Sequence, residues 1–169
     1  MTNITFVDED DKVIGYGSKD EAIEKGIIHR IVRVFVLNSK NELLIQRRSD
    51  KVKIPGRWDQ SAAGHVDEGE VYLFAALREA EEEVGLRNIN LEEIGRYFST
   101  EIDDGITKYR RNVLYSTTYN GDIEIDQDDV SEAKWIRLDV LKEWMLSKPN
   151  EFTQGFLKSY SFYLDYKRR

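Results

Sequence analysis

The stretch Gly64-His65-Val66-Asp67-Glu68-Gly69-Glu70, continued by Val71-Tyr72-Leu73-Phe74-Ala75-Ala76-Leu77 and closed by Arg78-Glu79-Ala80-Glu81-Glu82-Glu83-Val84-Gly85-Leu86, decides how the rest of the chain is read. From Val71 to Val84 the apolar residues recur at helical spacing, and Gly85 is placed to end that helix as its C′ residue. At about 100° per residue, Leu73, Ala76, Leu77, Ala80 and Val84 fall on one stripe, the expected core face, while Glu79, Glu82 and Glu83 fall together on another. Like charges four residues apart destabilise a helix by about 0.2–0.5 kcal/mol. Arg78 stands four residues before Glu82 as its local counterion, which leaves Glu79 and Glu83 poorly balanced. A solvated acidic face is one reading of this pattern. A bound divalent cation is the other, and carboxylate oxygens without thiolates suit Mg²⁺ or Mn²⁺.

Working outward, Phe6 to Gly15 reads as two short strands around the acidic turn Asp8-Glu9-Asp10-Asp11, and Ser18-Lys19-Asp20-Glu21 has capping-box spacing for a short helix ending at Gly26. Ile28 to Leu37 and Glu42 to Gln46, joined by Asn38-Ser39-Lys40-Asn41, predict a hairpin. The segment Ser61 to Gly64 is small and extended. Leu91–Ser99, Lys108–Thr118, Asp122–Ile125 and Ala133–Ile136 read as strands, and Asp139–Leu146 and Thr153–Tyr166 as closing helices. The last helix carries Phe156, Leu157, Tyr160, Tyr163 and Leu164 as an aromatic stripe for packing inward or across a homodimer.

The chain has 169 residues, 40% of them hydrophobic and 34% charged, the size of a single domain covering 1–169. A formal net charge of -7 argues against a broad grip on nucleic acid. The absence of cysteine excludes disulfides, thiolate metal sites and thiol nucleophiles. The start, Met1-Thr2-Asn3-Ile4, lacks the basic and apolar segments of an export signal, and no apolar run approaches the roughly 20 residues of a membrane span. A soluble, cytoplasmic protein without a membrane partner is the expectation.

The spacing of Gly64, Glu70 and Arg78-Glu79-Ala80-Glu81-Glu82-Glu83-Val84-Gly85-Leu86 resembles the complete Nudix box, which spans twenty-three positions here. One departure is Ala80, where the family usually has a bulkier aliphatic residue. The resemblance implies an α/β fold, an α/β/α sandwich around a mixed sheet, and an enzyme that hydrolyses diphosphate linkages with Mg²⁺ or Mn²⁺. It implies that Glu79, Glu82 and Glu83 carry metal, that Arg78 orients a glutamate, and that Glu70 pins the loop or joins the metal shell. Gly64 would permit the turn, Gly85 would close the box, and Glu79 would be the general base. Relatives also place an acid six residues before a later tryptophan, which points from Trp135 to Asp129, with Glu132 nearby.

From Asp8 to Leu86 the chain is similar to the isopentenyl-diphosphate-isomerase-like branch of that superfamily. The resemblance rests on His29-Arg30, Gln46-Arg47-Arg48, Pro55-Gly56-Arg57-Trp58-Asp59 and Ser61-Ala62-Ala63-Gly64-His65-Val66. The isomerases have a catalytic cysteine where this chain has Ala63, and their box is degenerate where this one is intact. Two of their metal-binding histidines match His29 and His65, for which structural hydrogen bonding is the expectation here.

The substrate implied is a nucleoside-diphosphate-type or other organic diphosphate. The alternatives are a non-catalytic nucleotide-binding module and an isoprenoid-diphosphate isomerase. Arg47, Arg48, Lys51, Lys53 and Arg57 form a basic segment, read either as an ordinary surface loop or as a phosphate clamp in which Arg48 and Arg57 are the preferred contacts. Trp58, Tyr97, Phe98 and Tyr109 are read mainly as packing residues, with stacking on a substrate as the alternative.

Overall fold

A strand that is apolar on both sides must be covered on both sides, and His29–Leu37 (β3) is such a strand. In a computed structural model describing residues 2–169, it lies at the centre of a nine-stranded mixed sheet. Val32, Val34 and Val36 point to one face, and Phe35 and Leu37 to the other. Along one edge β3 pairs in parallel with Ile106–Thr118 (β8), which pairs antiparallel with Glu92–Asp103 (β7). At its other edge β3 meets Ile4–Val7 (β1), which continues to Val13–Gly17 (β2). Between β2 and β3 runs Lys19–Lys25 (α1), capped by Ser18 Oγ and ended by Gly26 at φ 66°.

The predicted hairpin forms, but it is open. Glu42–Arg48 (β4) pairs with β3 only at Leu37–Leu43, then turns away to pair with Trp58–Asp59 (β5) and Val130–Arg137 (β9). The strand that fills the gap is Ala62–His65 (β6), antiparallel to Ile31–Val34. Ser61 bridges the two diverging strands: its hydroxyl accepts from Val36 N at 2.9 Å and donates to Leu44 O at 2.5 Å.

Tyr72–Val84 (α2) covers one face of the sheet. Its buried stripe is Tyr72, Ala75, Ala76, Ala80 and Val84, rotated from the expected one, and Leu73 is 40% exposed. Three alanines bring the helix close to the valines of β3, and Ala80 sits fully buried in that contact. Leu138–Ser147 (α3) and Gln154–Lys167 (α4) cover the other face, so the expected α/β/α layering holds. Phe156, Tyr160 and Tyr163 pack inward against Phe35 and Leu114. Asp122–Ile125 is not a strand. Glu124 N and Asp126 N instead donate to Val84 O and Glu83 O, both at 3.1 Å, satisfying carbonyls that the end of α2 leaves free. Among the described residues no helix is long and apolar enough to cross a membrane.

Replacing Ser61 by Ala leaves a buried amide and a buried carbonyl without their shared partner. The variant should lose about 1–3 kcal/mol in urea unfolding, and an unchanged midpoint would refute the bridging role.

Candidate functional site

The helix α2 carries its charged residues on the side that meets β6 and the loop before it. Arg78 is the hub of this site. Its Nε and Nη2 donate to the two oxygens of Glu70 at 2.8 and 2.9 Å, and Nη2 also reaches His65 O at 3.0 Å. Its Nη1 donates to Glu79 Oε1 at 2.7 Å and to Glu82 Oε2 at 3.3 Å. Arg78 therefore balances Glu79 as well as Glu82, which sequence spacing did not reveal. Glu70 pins the loop: besides Arg78, it accepts from Asp67 N at 2.9 Å.

The three glutamates occupy different environments. Glu82 is 56% exposed, whereas the Glu79 side chain is 13% exposed. Burial pushes the Glu79 carboxyl up to about 7 against the pull of Arg78. Glu83 lies beyond the reach of Arg78, and its Oε1 accepts from Gln46 Nε2 at 2.9 Å and Ala63 N at 3.0 Å. Burial, then the charge of Glu79, raises its carboxyl well above the usual range. Gly64 does not serve a turn, because it lies within β6 and the positive φ belongs to Gly69 at 85°. Its role is space, since a Cβ there would collide with the Glu79 carboxyl group. Gly85 closes α2 at φ 74°, as the spacing predicts.

Among the described residues no three His, Asp or Glu side chains stand as a ready metal cage. The donor chemistry nevertheless fits a hard cation. Glu79 and Glu83 lie one turn apart, and in each the second carboxylate oxygen accepts no hydrogen bond among the described residues. Asp129 is exposed on the turn before β9, its carboxyl raised by burial of part of the group and by Asp126 and Asp128. Glu132 is exposed on β9.

The two preferred substrate arginines are held by the protein itself. Arg57 pairs with Asp103 at 3.2 Å, at the end of β7, and with Asp104 at 2.9 Å, on the β7–β8 turn. Arg48 donates to Lys53 O at 2.8 Å and lies 3.4 Å from Asp59. The two histidines lie together, and only the His29 ring makes hydrogen bonds among the described residues. Their rings stack at 5.4 Å, His29 Nδ1 donates to Ile27 O at 3.0 Å, and Arg110 Nε donates to His29 Nε2 at 3.4 Å. Burial and then Arg110 push His29 down to about 4 and His65 well below its ordinary range, so both are neutral. The residues missed in the sequence are Gln46 as the holder of Glu83 and the buried set Arg33, Glu101, Lys108 and Arg110. An arginine in the middle of an otherwise apolar strand was the available signal for the second group.

The family model described as NUDIX domain matches residues 27–156. The chain is 34% identical over 163 residues to an uncharacterized Nudix hydrolase of Pseudomonas aeruginosa, covering 96% of this chain and 93% of that one. It is 30% identical over 167 residues to an isopentenyl-diphosphate Delta-isomerase of Pectobacterium atrosepticum, covering 98% and 93%. Among solved structures, a Deinococcus radiodurans protein superposes with a TM-score of 0.73 at 23% identity, over 86% of this chain and 89% of that one. The NUDIX domain of Shewanella oneidensis NrtR, complexed with ADP ribose, gives 0.65 at 16% identity, over 88% and 98%. These two likenesses are of fold.

A carboxyl raised on folding favours the protonated native state, so the stability it lends at low pH is lost as pH climbs from about 4.5 through about 7. In EDTA, Glu79→Gln should therefore gain in melting temperature over the unaltered protein as pH rises across that window. A constant gap would refute the assignment of strain to this pair.

Proposed function

The chain belongs to the Nudix family, and from that premise we propose that it hydrolyses the diphosphate linkage of a nucleoside-diphosphate-type or other organic diphosphate with Mg²⁺ or Mn²⁺. The observation that carries this reading is the pair Glu79 and Glu83, each with an unspent oxygen, fixed beside β6 by Arg78, Gln46 and Ala63 N. In this reading Glu79, Glu82 and Glu83 hold the metal, with Asp129 as an additional acid and Glu70 acting through Arg78. When bound, the metal neutralises charge on the phosphoryl oxygens.

The chain's own residues do the rest. Arg78 orients Glu79 and Glu82, and Glu79, mostly buried and with one oxygen that accepts no hydrogen bond, is suited to take a proton from the attacking water. Arg48 and Arg57 bind substrate phosphate by exchanging the carbonyl and carboxylate partners that now hold them. The Shewanella neighbour's ligand, ADP ribose, supports a small-molecule diphosphate as substrate. Isomerisation is disfavoured, although two of the relatives bear that name, because Ala63 has no proton to move and no thiol exists in the chain. The whole chain acts as one catalytic domain.

The test is a phosphate-release screen over nucleoside diphosphate derivatives, sugar nucleotides, dinucleoside polyphosphates and isoprenoid diphosphates with either metal. Glu79→Gln and Glu83→Gln should remain folded and lose roughly 100- to 10,000-fold in turnover. Near-normal turnover in both, or conversion of isopentenyl diphosphate to dimethylallyl diphosphate by the unaltered protein, would overturn the reading.

A further inference from the structure

Along β8 the side chains alternate between the two faces of the sheet. Val113 and Tyr115 point toward α2, while Lys108, Arg110 and Asn112 lie on the opposite face, in line with Leu114 under α4. Across from Asn112, Arg110 and Lys108 on β7 stand Tyr97, Ser99 and Glu101, with Asp103 next along the same face, opposite Ile106. Glu101 is directly opposite Lys108, but its oxygens are already taken: Oε2 by Arg33 at 2.8 Å and Ser99 at 2.6 Å, Oε1 by Arg110 at 2.9 Å. Asp103 Oδ1 accepts from Arg57 and from Gln154 N, both at 3.2 Å, and its carboxylate acts on Lys108 through charge without a hydrogen bond. Lys108 is only 8% exposed and has no hydrogen bond or ion pair among the described residues. Arg33, Lys108 and Arg110, with Arg48 and Arg57 beside them, thus share the three buried carboxylates Glu101, Asp103 and Asp59.

The surroundings register the surplus. Burial first, then Arg110, pushes the Lys108 ammonium down to about 8. The same Arg110 helps keep His29 and His65 neutral, so the histidines add no charge and present rings instead. The surplus also adjoins the glutamate site. His65 follows the glycine on which Glu79 rests, its ring stacks on His29, and Arg110 donates to His29. The stem of Lys108 is buried while its unpartnered ammonium keeps contact with solvent among other cations, a charge that costs stability and that an apolar side chain of the same length would not bring. Packing alone does not account for a lysine here.

We propose that Lys108, with Arg110 behind it, forms an anion pocket on the sheet face opposite α2 that receives a phosphate group of the substrate. The assignment to substrate rests on the hydrolase reading above; the pocket itself does not. The anion supplies the hydrogen-bonded partner that Lys108 has in neither Glu101 nor Asp103, and Arg110 contributes through Nη2, which makes no hydrogen bond among the described residues.

The test is calorimetric titration of inorganic pyrophosphate into the full chain in EDTA, where the glutamates hold no metal and the pocket is read alone. The unaltered protein should bind. Lys108→Met should weaken binding by about tenfold or more while its ligand-free melting temperature rises, and Lys108→Arg should restore binding. Unchanged affinity in the Met variant, or no binding by the unaltered protein, overturns the pocket. Lys108-dependent binding in a protein that turns over no diphosphate would leave the pocket standing and overturn the hydrolase reading instead.

Discussion

The guanidinium of Arg78 fixes the geometry on which the rest of the site depends. Its fork ties the loop before α2 to the helix through Glu70 and the His65 carbonyl, and its remaining nitrogen holds Glu79 and Glu82. A lysine has a single ammonium and could not span these partners in fixed directions. The reach of that one group also grades the acids along the helix. Glu82 is exposed and paired, Glu79 is mostly buried and paired, and Glu83 is out of reach and leans on the neutral donors Gln46 and Ala63 N. The carboxyl with no cation beside it is the one driven well above its ordinary range, with burial as the larger cause.

The site exists because the sheet opens. Had β3 and β4 paired along their length, β6 would have no edge to join, and Ala63 N would not face Glu83. The gap is tolerable because its backbone groups find side-chain partners: Ser61 serves both strands, and Gln46 Nε2 is shared between Ser61 O and Glu83. Gly64 then lets Glu79 approach where any side chain would block it. The irregularity that departs from a plain hairpin is therefore what assembles the carboxylates.

Local signals in the sequence were legible because local physics sets them. Ser18 caps α1, Gly26 and Gly85 end their helices in the left-handed region, and the aromatic stripe of α4 is core. What could not be read depends on partners far along the chain. The phase of α2 is set by how closely three alanines let it approach β3, a distance that helical spacing does not contain. Residues 122–125 have strand composition, yet they go to the end of α2, whose free carbonyls compete for their amides. Arg48 and Arg57 look like free cations in sequence and are bound because the β7–β8 turn and Asp59 reach them in space.

Charge is segregated across the sheet. On the α2 side there is an excess of carboxylate, with Arg78 alone set among Glu70, Glu79 and Glu82. On the other side Arg33 and Arg110 share Glu101, whose carboxyl they hold down to about 2 against the effect of burial. Gly155 at the start of α4 leaves room for that ion pair, since a Cβ there would strike both Arg33 and Glu101. The histidine pair lies on the cationic side of this division. A cation at His29 would need the Nε2 lone pair that Arg110 already uses, and it would enter a field that is already positive. Unspent carboxylate oxygens lie at Glu79 and Glu83, positive charge lies around the histidines, and Ala63, between the two, offers neither of them a side-chain ligand.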